Sequence, residues 1–138
     1  MRVHHFSLEV QDLEQSVAFY ERLLGFVPES RLLLDGERIA FLKLGAARLE
    51  LVQPAALASA SSQSEASASA APTTGARLLQ THMAFEVDDL RAAIDPLLHA
   101  GCVLVEGPSL LANGWSNVFL DGLNGERLEF VELKKFDK

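Results

Sequence analysis

The sequence predicts an α+β fold built from two similar modules, each with the element order βαβββ. Three observations predict it. The nine residues that begin at His5 are nearly repeated from His82, and the five that begin at Arg48 are nearly repeated from Arg127. The repeated segments lie in the same order at offsets of 77 and 79 residues. Each early segment is followed by an amphipathic helical pattern that stops at a glycine. Such repeats indicate two copies of one supersecondary unit.

The first module, residues 2–54, opens with an alternating segment from His4 to Val10 that is typical of a half-buried strand. Asp12 is a good N-cap for the helix that follows, and Gly25 supplies its end. Asp35-Gly36 predicts a hairpin turn. The three remaining strands are predicted at Val27–Leu33, Arg38–Lys43 and Arg48–Val52.

The second module, residues 79–133, repeats this plan. Asp89 is the expected N-cap and Gly101 the expected end of its helix. Pro96 lies inside that helix, where the missing backbone donor is expected to kink or end it. The three later strands are predicted at Val103–Glu106, Ser116–Leu120 and Arg127–Glu132.

The modules are joined by residues 55–78, which are dominated by Ala and Ser. This composition predicts a mobile linker, with a lid that orders on ligand binding as the alternative. At 138 residues, the whole chain, 1–138, is expected to form a single domain.

Composition excludes several classes of function. The formal net charge of −7 and the scattered Lys and Arg residues disfavour a nucleic-acid partner. No apolar run is long enough to span a membrane, and Met1 to His5 does not open a signal peptide. The lone Cys102 cannot form an internal disulfide, which fits a cytoplasmic location.

Four residues occupy equivalent places in the repeat: His5 with His82, and Glu50 with Glu129. The alternation of each strand puts all four on the face opposite the apolar stripe. Pairing of the modules would bring two imidazoles and two carboxylates together. This set suits one divalent ion of Zn, Ni, Co, Mn or Fe, with two octahedral positions open. Each residue alone is weak evidence, and a weakly occupied or vestigial site is the alternative.

The motifs carry a family resemblance. They are His5-x-x-Leu8-x-Val10-x-Asp12-Leu13, Phe19-Tyr20-x-x-x-Leu24-Gly25-Phe26, and Glu129 after Gly125. The chain resembles the glyoxalase, bleomycin resistance and extradiol dioxygenase group, the vicinal oxygen chelate superfamily, over nearly its whole length except the linker. The resemblance implies paired modules that form a cupped, barrel-like mixed sheet with the helices outside, often completed as a homodimer.

The four-ligand pattern is most similar to those of glyoxalase I and methylmalonyl-CoA epimerase. The resemblance implies a metal-dependent lyase or isomerase that moves a proton next to a carbonyl of a small oxygenated substrate. Glu129 or Glu50 would be the base, and the other would return the proton. The chain differs from bacterial glyoxalase I at Glu9, which stands where those enzymes place an arginine for glutathione.

Two other functions stay open. An extradiol-type dioxygenase would use a 2-His-1-carboxylate triad, which a fourth ligand, Glu50, disfavours. A non-catalytic small-molecule binding or resistance protein would typically lack the complete ligand set. Four further residues are candidates for contacts with substrate: Ser7, Glu9, Glu86 and Trp115.

Overall fold

The computed structural model describes residues 2–55 and 81–133. The chain divides into two units, residues 1–67 and 68–138, and each contains one set of βαβββ elements. Almost all of the predicted linker, 55–78, lies outside the described residues. The choice between linker and lid, and the boundaries of the modules, therefore stay predictions.

The first module contains one helix and a four-stranded mixed sheet in the order β1-β4-β3-β2. Strand β1 is parallel to β4, and the other two pairs of neighbours are antiparallel. The elements in chain order are β1 (Phe6–Glu9), α1 (Leu13–Leu24), β2 (Val27–Leu34), β3 (Glu37–Leu44) and β4 (Ala47–Gln53).

The second module repeats the same topology, with the strand order β5-β8-β7-β6. Its first strand is again parallel to its last, and its other neighbours are antiparallel. Its elements are β5 (His82–Glu86), α2 (Leu90–His99), β6 (Val103–Leu110), β7 (Ser116–Asp121) and β8 (Arg127–Glu132). The prediction of an α+β fold with two βαβββ modules is confirmed.

Local signals in the sequence set the helix ends. An Asp12 Oδ1 atom accepts a hydrogen bond from the Gln15 N–H at 3.0 Å, and Asp89 Oδ1 accepts one from Ala92 N–H at 2.9 Å. Both aspartates are therefore N-caps, as predicted. Gly25 ends α1 with φ 76°, a left-handed conformation that glycine adopts without a Cβ penalty.

Helix α2 continues through Pro96 to His99, close to the expected end at Gly101, and Leu97, 1% exposed, packs into the core. Strand β6 differs from expectation. Strand β6 continues beyond Glu106 to Leu110. It can do so because Gly107 has φ +90° and lies close to β7: a Cβ there would be 2.7 Å from the Asn117 carbonyl oxygen. Glycine at this position allows the two backbones to approach.

One face of each sheet is buried against its helix. In the first module Leu42 and Leu51 are fully buried, as are Leu120 and Leu128 in the second. Because neighbouring residues of a strand point to opposite faces, the residues between these leucines face away from the helix. No helix among residues 2–55 and 81–133 is long and apolar enough to cross a membrane.

Candidate metal centre

His5 and Glu50 lie side by side in the first module. Glu50 is in the middle of β4, where it pairs with Ser7 of β1 on one side and Phe41 of β3 on the other. His5 directly precedes β1. Its Nε2 atom lies 3.1 Å from Glu50 Oε2, and the side chains are 33% and 16% exposed. The parallel pairing of β1 with β4 thus joins residues that are far apart in the sequence.

His82 and Glu129 form the same arrangement in the second module. Glu129 pairs with Ala84 of β5 and Phe119 of β7. The distance from His82 Nε2 to Glu129 Oε2 is 3.0 Å, and the Glu129 side chain is only 14% exposed. Within each module the structure therefore brings together the histidine and the glutamate that the sequence selected.

An aromatic ring supports each imidazole. The Phe41 ring meets the His5 ring in a T-shaped contact with centroids 5.4 Å apart, and Phe119 meets His82 at 5.6 Å. T-shaped contacts of this kind are favourable and directional. Both phenylalanines pack against the imidazoles, and they occupy equivalent positions of the repeat that the sequence pattern did not single out.

Asn117 contacts the carboxylate in the second module. Its Nδ2–H donates a hydrogen bond of 2.8 Å to Glu129 Oε1, the oxygen that does not face His82. Asn117 is 8% exposed and pairs with Val131 of β8. Its equivalent in the first module is Ile39, because Ile39 pairs with Val52, which is the equivalent of Val131. Sequence reasoning missed Asn117. An alignment of β7 with β3 would have indicated this residue, because the Asn117 amide stands where the first module has the buried alkyl side chain of Ile39.

A chain of polar contacts leads away from His5. His5 Nδ1 is 2.8 Å from His4 Nδ1, and His4 Nε2 is 3.1 Å from an Arg48 guanidinium nitrogen. Arg48 also donates two hydrogen bonds to Glu29, at 2.6 and 2.8 Å. These bonds, with a smaller effect of Lys43, lower the pKa of Glu29 from 4.5 to about 2. Arg48 is therefore engaged within its own module.

The donor atoms of each pair fit one edge of a metal coordination sphere. Two neighbouring ligands about 2.1 Å from an octahedral ion lie about 3.0 Å apart, whereas tetrahedral ligands lie about 3.4 Å apart. The observed separations of 3.1 and 3.0 Å are those of a hydrogen bond between each imidazole and its carboxylate, and they are also compatible with the octahedral value. In residues 2–55 and 81–133, no three His, Cys, Asp or Glu side chains cluster closely enough to hold a metal ion. Each module therefore offers two donors, which is half of the predicted set.

The positions of the four candidates for contacts with substrate do not show whether they bind substrate. Ser7, Glu9 and Glu86 are exposed residues of β1 and β5. Trp115 precedes β7 and is 41% exposed. Their predicted roles stay predictions. A cavity of about 600 Å³ in the second module is lined by Leu90, Ile94, Pro108 and Glu132 among others, and it contains none of the predicted site residues.

Solved structures share this fold. A glyoxalase family protein from Bacillus cereus is 21% identical, with 96% of this chain and 93% of that chain covered and a TM-score of 0.74. Glyoxalase I from Leishmania major is 19% identical, with coverage of 96% and 86% and a TM-score of 0.68. A fosfomycin resistance protein from Listeria monocytogenes is 12% identical, with coverage of 97% and 94% and a TM-score of 0.67. At these identities the likeness shows the fold alone.

Sequence comparison shows the family. No curated protein matches the chain significantly. The sequence profile of the Glyoxalase/Bleomycin resistance protein/Dioxygenase superfamily, however, matches residues 2–130, which is nearly the whole chain. The matched region contains both His–Glu pairs, the first nine described elements, and β8 as far as Phe130. The chain therefore belongs to the glyoxalase, bleomycin resistance protein and dioxygenase superfamily, also called the vicinal oxygen chelate superfamily.

Proposed function

We propose that this protein is a divalent-metal-dependent lyase or isomerase that moves a proton next to a carbonyl of a small oxygenated substrate. The proposal depends on one observation. Equivalent positions of the repeat each carry a His–Glu pair, with donor atoms 3.1 and 3.0 Å apart, a separation that neighbouring ligands of one octahedral ion can also have. Together His5, Glu50, His82 and Glu129 would hold one Zn, Ni, Co, Mn or Fe ion.

The orientation of Glu50 favours this function over a dioxygenase. A 2-His-1-carboxylate site needs only one of the two glutamates, and the other would be free to turn away. Glu50 instead faces His5 just as Glu129 faces His82, and its side chain is only 16% exposed. A set of four donors leaves two octahedral positions for oxygens of a substrate.

The chemistry can be divided between the metal and the side chains. A bound divalent ion would supply stabilisation of the negative charge that develops on a carbonyl oxygen. One of the two glutamates accepts the proton from the neighbouring carbon, and the C–H electron pair moves toward the carbonyl oxygen. The same or the other glutamate returns a proton to carbon, so the product is an isomer of the bound species. Phe41 and Phe119 pack against the imidazoles.

Glu9 bears on the choice of substrate. It is exposed on β1, two residues beyond Ser7 on the same face. A carboxylate there would repel an anionic group such as the carboxylates of glutathione. We therefore favour a substrate without an anionic group at that point. Lone Cys102 favours the reducing cytoplasm as the place of action.

The first experiment measures metal content and metal affinity. Protein purified without chelator is analysed for metals, and the metal-free form is titrated with Ni, Zn, Co, Mn and Fe(II). We expect about one ion per chain, with affinity strongly reduced in Glu50→Gln and Glu129→Gln. Glu21→Gln, which removes the same charge from the exposed surface of α1, is the matched control and should bind like the wild type. Absence of binding for all five metals would contradict the proposal and leave a small-molecule binding protein.

A second experiment tests whether a site is completed within one chain or across a homodimer. One chain carries His5→Ala with Glu50→Ala, and a second carries His82→Ala with Glu129→Ala. The chains are co-expressed with different tags, and the mixed species is purified. If the sites form across a dimer, one of its two sites is intact and metal binding returns. If each site forms within a chain, the mixed species binds no more metal than either variant alone.

A further inference from the structure

We infer that the second module has a small-molecule site of its own, which takes an organic cation with an apolar body. The site is the cavity of about 600 Å³ beside the first turns of α2. Cavities of about 300–1,000 Å³ are typical of small-molecule sites. Alternation along β8 puts the lining residue Glu132 on the helix side of the sheet and Glu129 on the other side. The site is therefore separate from the candidate metal centre.

Apolar side chains form the deep part of the cavity. Leu90 and Ile94 lie one helical turn apart on α2, and both are buried. Pro108 of β6 lines the cavity as well, and Ser116 and Glu132 line it from the neighbouring strands β7 and β8. An apolar group bound against these side chains would be removed from water, which is the general source of affinity in such cavities.

The mouth of the cavity is acidic. Its lining contains four carboxylates and one guanidinium, that of Arg91. Asp88, Asp89 and Asp95 are exposed, and Glu132 is partly exposed. In the part of the chain that the structure describes, none of these four carboxylates belongs to an ion pair. The described residues leave a negative charge beside an apolar floor, and this combination favours a ligand that is both cationic and apolar.

The equivalent place in the first module has the opposite character. Glu14 binds Arg31 at 2.6 Å and Arg38 at 2.9 Å. Both arginines lie beside Leu13, the equivalent of Leu90, around a smaller cavity of about 390 Å³ whose lining contains no carboxylate. The acidic cavity is thus a departure of the second module from the shared plan, and the common fold does not require it.

Two differences within the repeat open the second cavity. Ser116 stands at the position of Arg38, because each pairs with the last residue of β8 or β4. The bulge at Gly107-Pro108 in β6 stands at the position of Arg31 in β2. Two long guanidinium side chains are therefore replaced by short side chains. The space that they would fill and the charge that they would neutralise are both left to a ligand.

Glu132 has a counterpart that separates its charge from its structural task. Its Oε2 atom accepts a hydrogen bond from Leu90 N–H at 2.9 Å, and Gln53 Oε1 accepts the equivalent bond from Leu13 N–H at 2.8 Å. Each bond satisfies a backbone donor in the first turn of a helix. An amide does this in the first module, so the start of α2 does not need the charge of Glu132.

The spacing of the carboxylates favours an organic cation over a metal ion. Among residues 2–55 and 81–133, no three acidic, imidazole or thiol side chains are close enough to hold a metal ion. A metal ion needs several donor atoms that converge on one point. An ammonium group on an apolar body can instead interact with carboxylates that are spread around the mouth while its body contacts the floor.

A titration of the metal-free, full-length protein followed by nuclear magnetic resonance tests the inference. The probe is 2-phenylethylamine, an alkylamine that is protonated at neutral pH. 2-Phenylethanol has the same body without the charge, and methylamine has the charge without the body. We expect the probe to cause saturable shifts of backbone amides in residues 90–95 and at Ser116 and Glu132. Both comparison compounds should bind at least about 10-fold more weakly, and added salt should weaken binding of the probe.

Two variants place residues of the first module in the second. Glu132→Gln keeps an acceptor for Leu90 N–H and removes the charge, so we expect affinity about 2- to 5-fold weaker, the effect of one partly exposed charge pair. Ser116→Arg supplies the guanidinium that Arg38 provides and should abolish saturable binding. Glu106→Gln removes the same charge from an exposed residue of β6 outside the cavity and should bind like the wild type. Thermal unfolding confirms that each variant is folded.

The outcomes are separate from those for the proposed function. If 2-phenylethylamine causes no saturable shifts at the cavity, the inference is wrong. Equal affinity for 2-phenylethanol, or equal affinity of Glu132→Gln and the wild type for the amine, would show that the cavity does not select a cation. None of these results depends on the metal-dependent reaction, because the titration uses metal-free protein and neither His5 nor His82 lines the cavity.

Discussion

The close approach of β6 to β7 can be tested by Gly107→Ala. Gly107 has φ +90°, and an added Cβ would lie 2.7 Å from the Asn117 carbonyl oxygen, 3.1 Å from Ser109 N and 3.2 Å from Val118 Cα. All three are backbone atoms, so no side chain can turn aside to make room. The new methyl group must therefore separate the two strands or distort the backbone at residue 107.

The expected loss of stability has two parts. A non-glycine residue in the left-handed region costs about 1–2 kcal/mol, and displacement of a packed backbone adds about 1–3 kcal/mol. We expect a total of about 2–5 kcal/mol. For a domain of this size, about 1 kcal/mol corresponds to roughly 3 °C in Tm, so the expected decrease is about 6–15 °C.

The assay is thermal unfolding followed by calorimetry, together with urea denaturation. Gly125→Ala is the matched control, because Gly125 has φ +77° in the same module but no atom within 4 Å of an added Cβ. That variant should show only the conformational part of the loss. If Gly107→Ala were no less stable than Gly125→Ala, the steric argument for glycine at position 107 would be refuted.

Three further predictions concern single residues. Burial raises the pKa of the Cys102 thiol from 9.0 to about 11, so its alkylation at pH 8 should be about 100-fold slower in folded protein than in urea; equal rates would contradict this. The folded pKa of Glu29, about 2, lies below its ordinary 4.5, so its contribution to stability is present above pH 4.5 and is lost as pH falls toward 2. A carboxyl titration by nuclear magnetic resonance should show this, and Arg48→Met should return the Glu29 pKa toward its ordinary value. Asp12→Ala removes the N-cap of α1 and should cost about 1 kcal/mol in urea denaturation, with Asp12→Asn close to wild type.

Most of the fold could be predicted because its signals are local. Alternation at β1 and β5, N-caps at Asp12 and Asp89, and the Asp35-Gly36 turn each depend on a few neighbouring residues. The turn is formed as predicted, with φ 49° at Asp35 and 84° at Gly36. The repeat then supplied the long-range information that local patterns lack, since it indicated which histidine and which glutamate are equivalent.

The features that were missed depend on the pairing of strands. Asn117 contacts Glu129 only because β7 and β8 pair in a register that places these two side chains diagonally across from each other, and no local pattern gives that register. The extension of β6 past Glu106 is a second example, because Gly107 and Pro108 normally indicate the end of a strand. The contact of β6 with β7 outweighs that preference.

Each His–Glu pair is assembled inside one module by parallel strand pairing, and this affects how a metal ion would be acquired. A zinc finger has no arranged ligands before the ion arrives, so binding and folding are one event. Here register and the phenylalanine contacts already hold the donor atoms at the right separation. A metal ion bound there would therefore meet two prearranged donors in each module, and loading should proceed with little change in heat capacity or circular dichroism. Metal could then be gained or lost while each module remains folded.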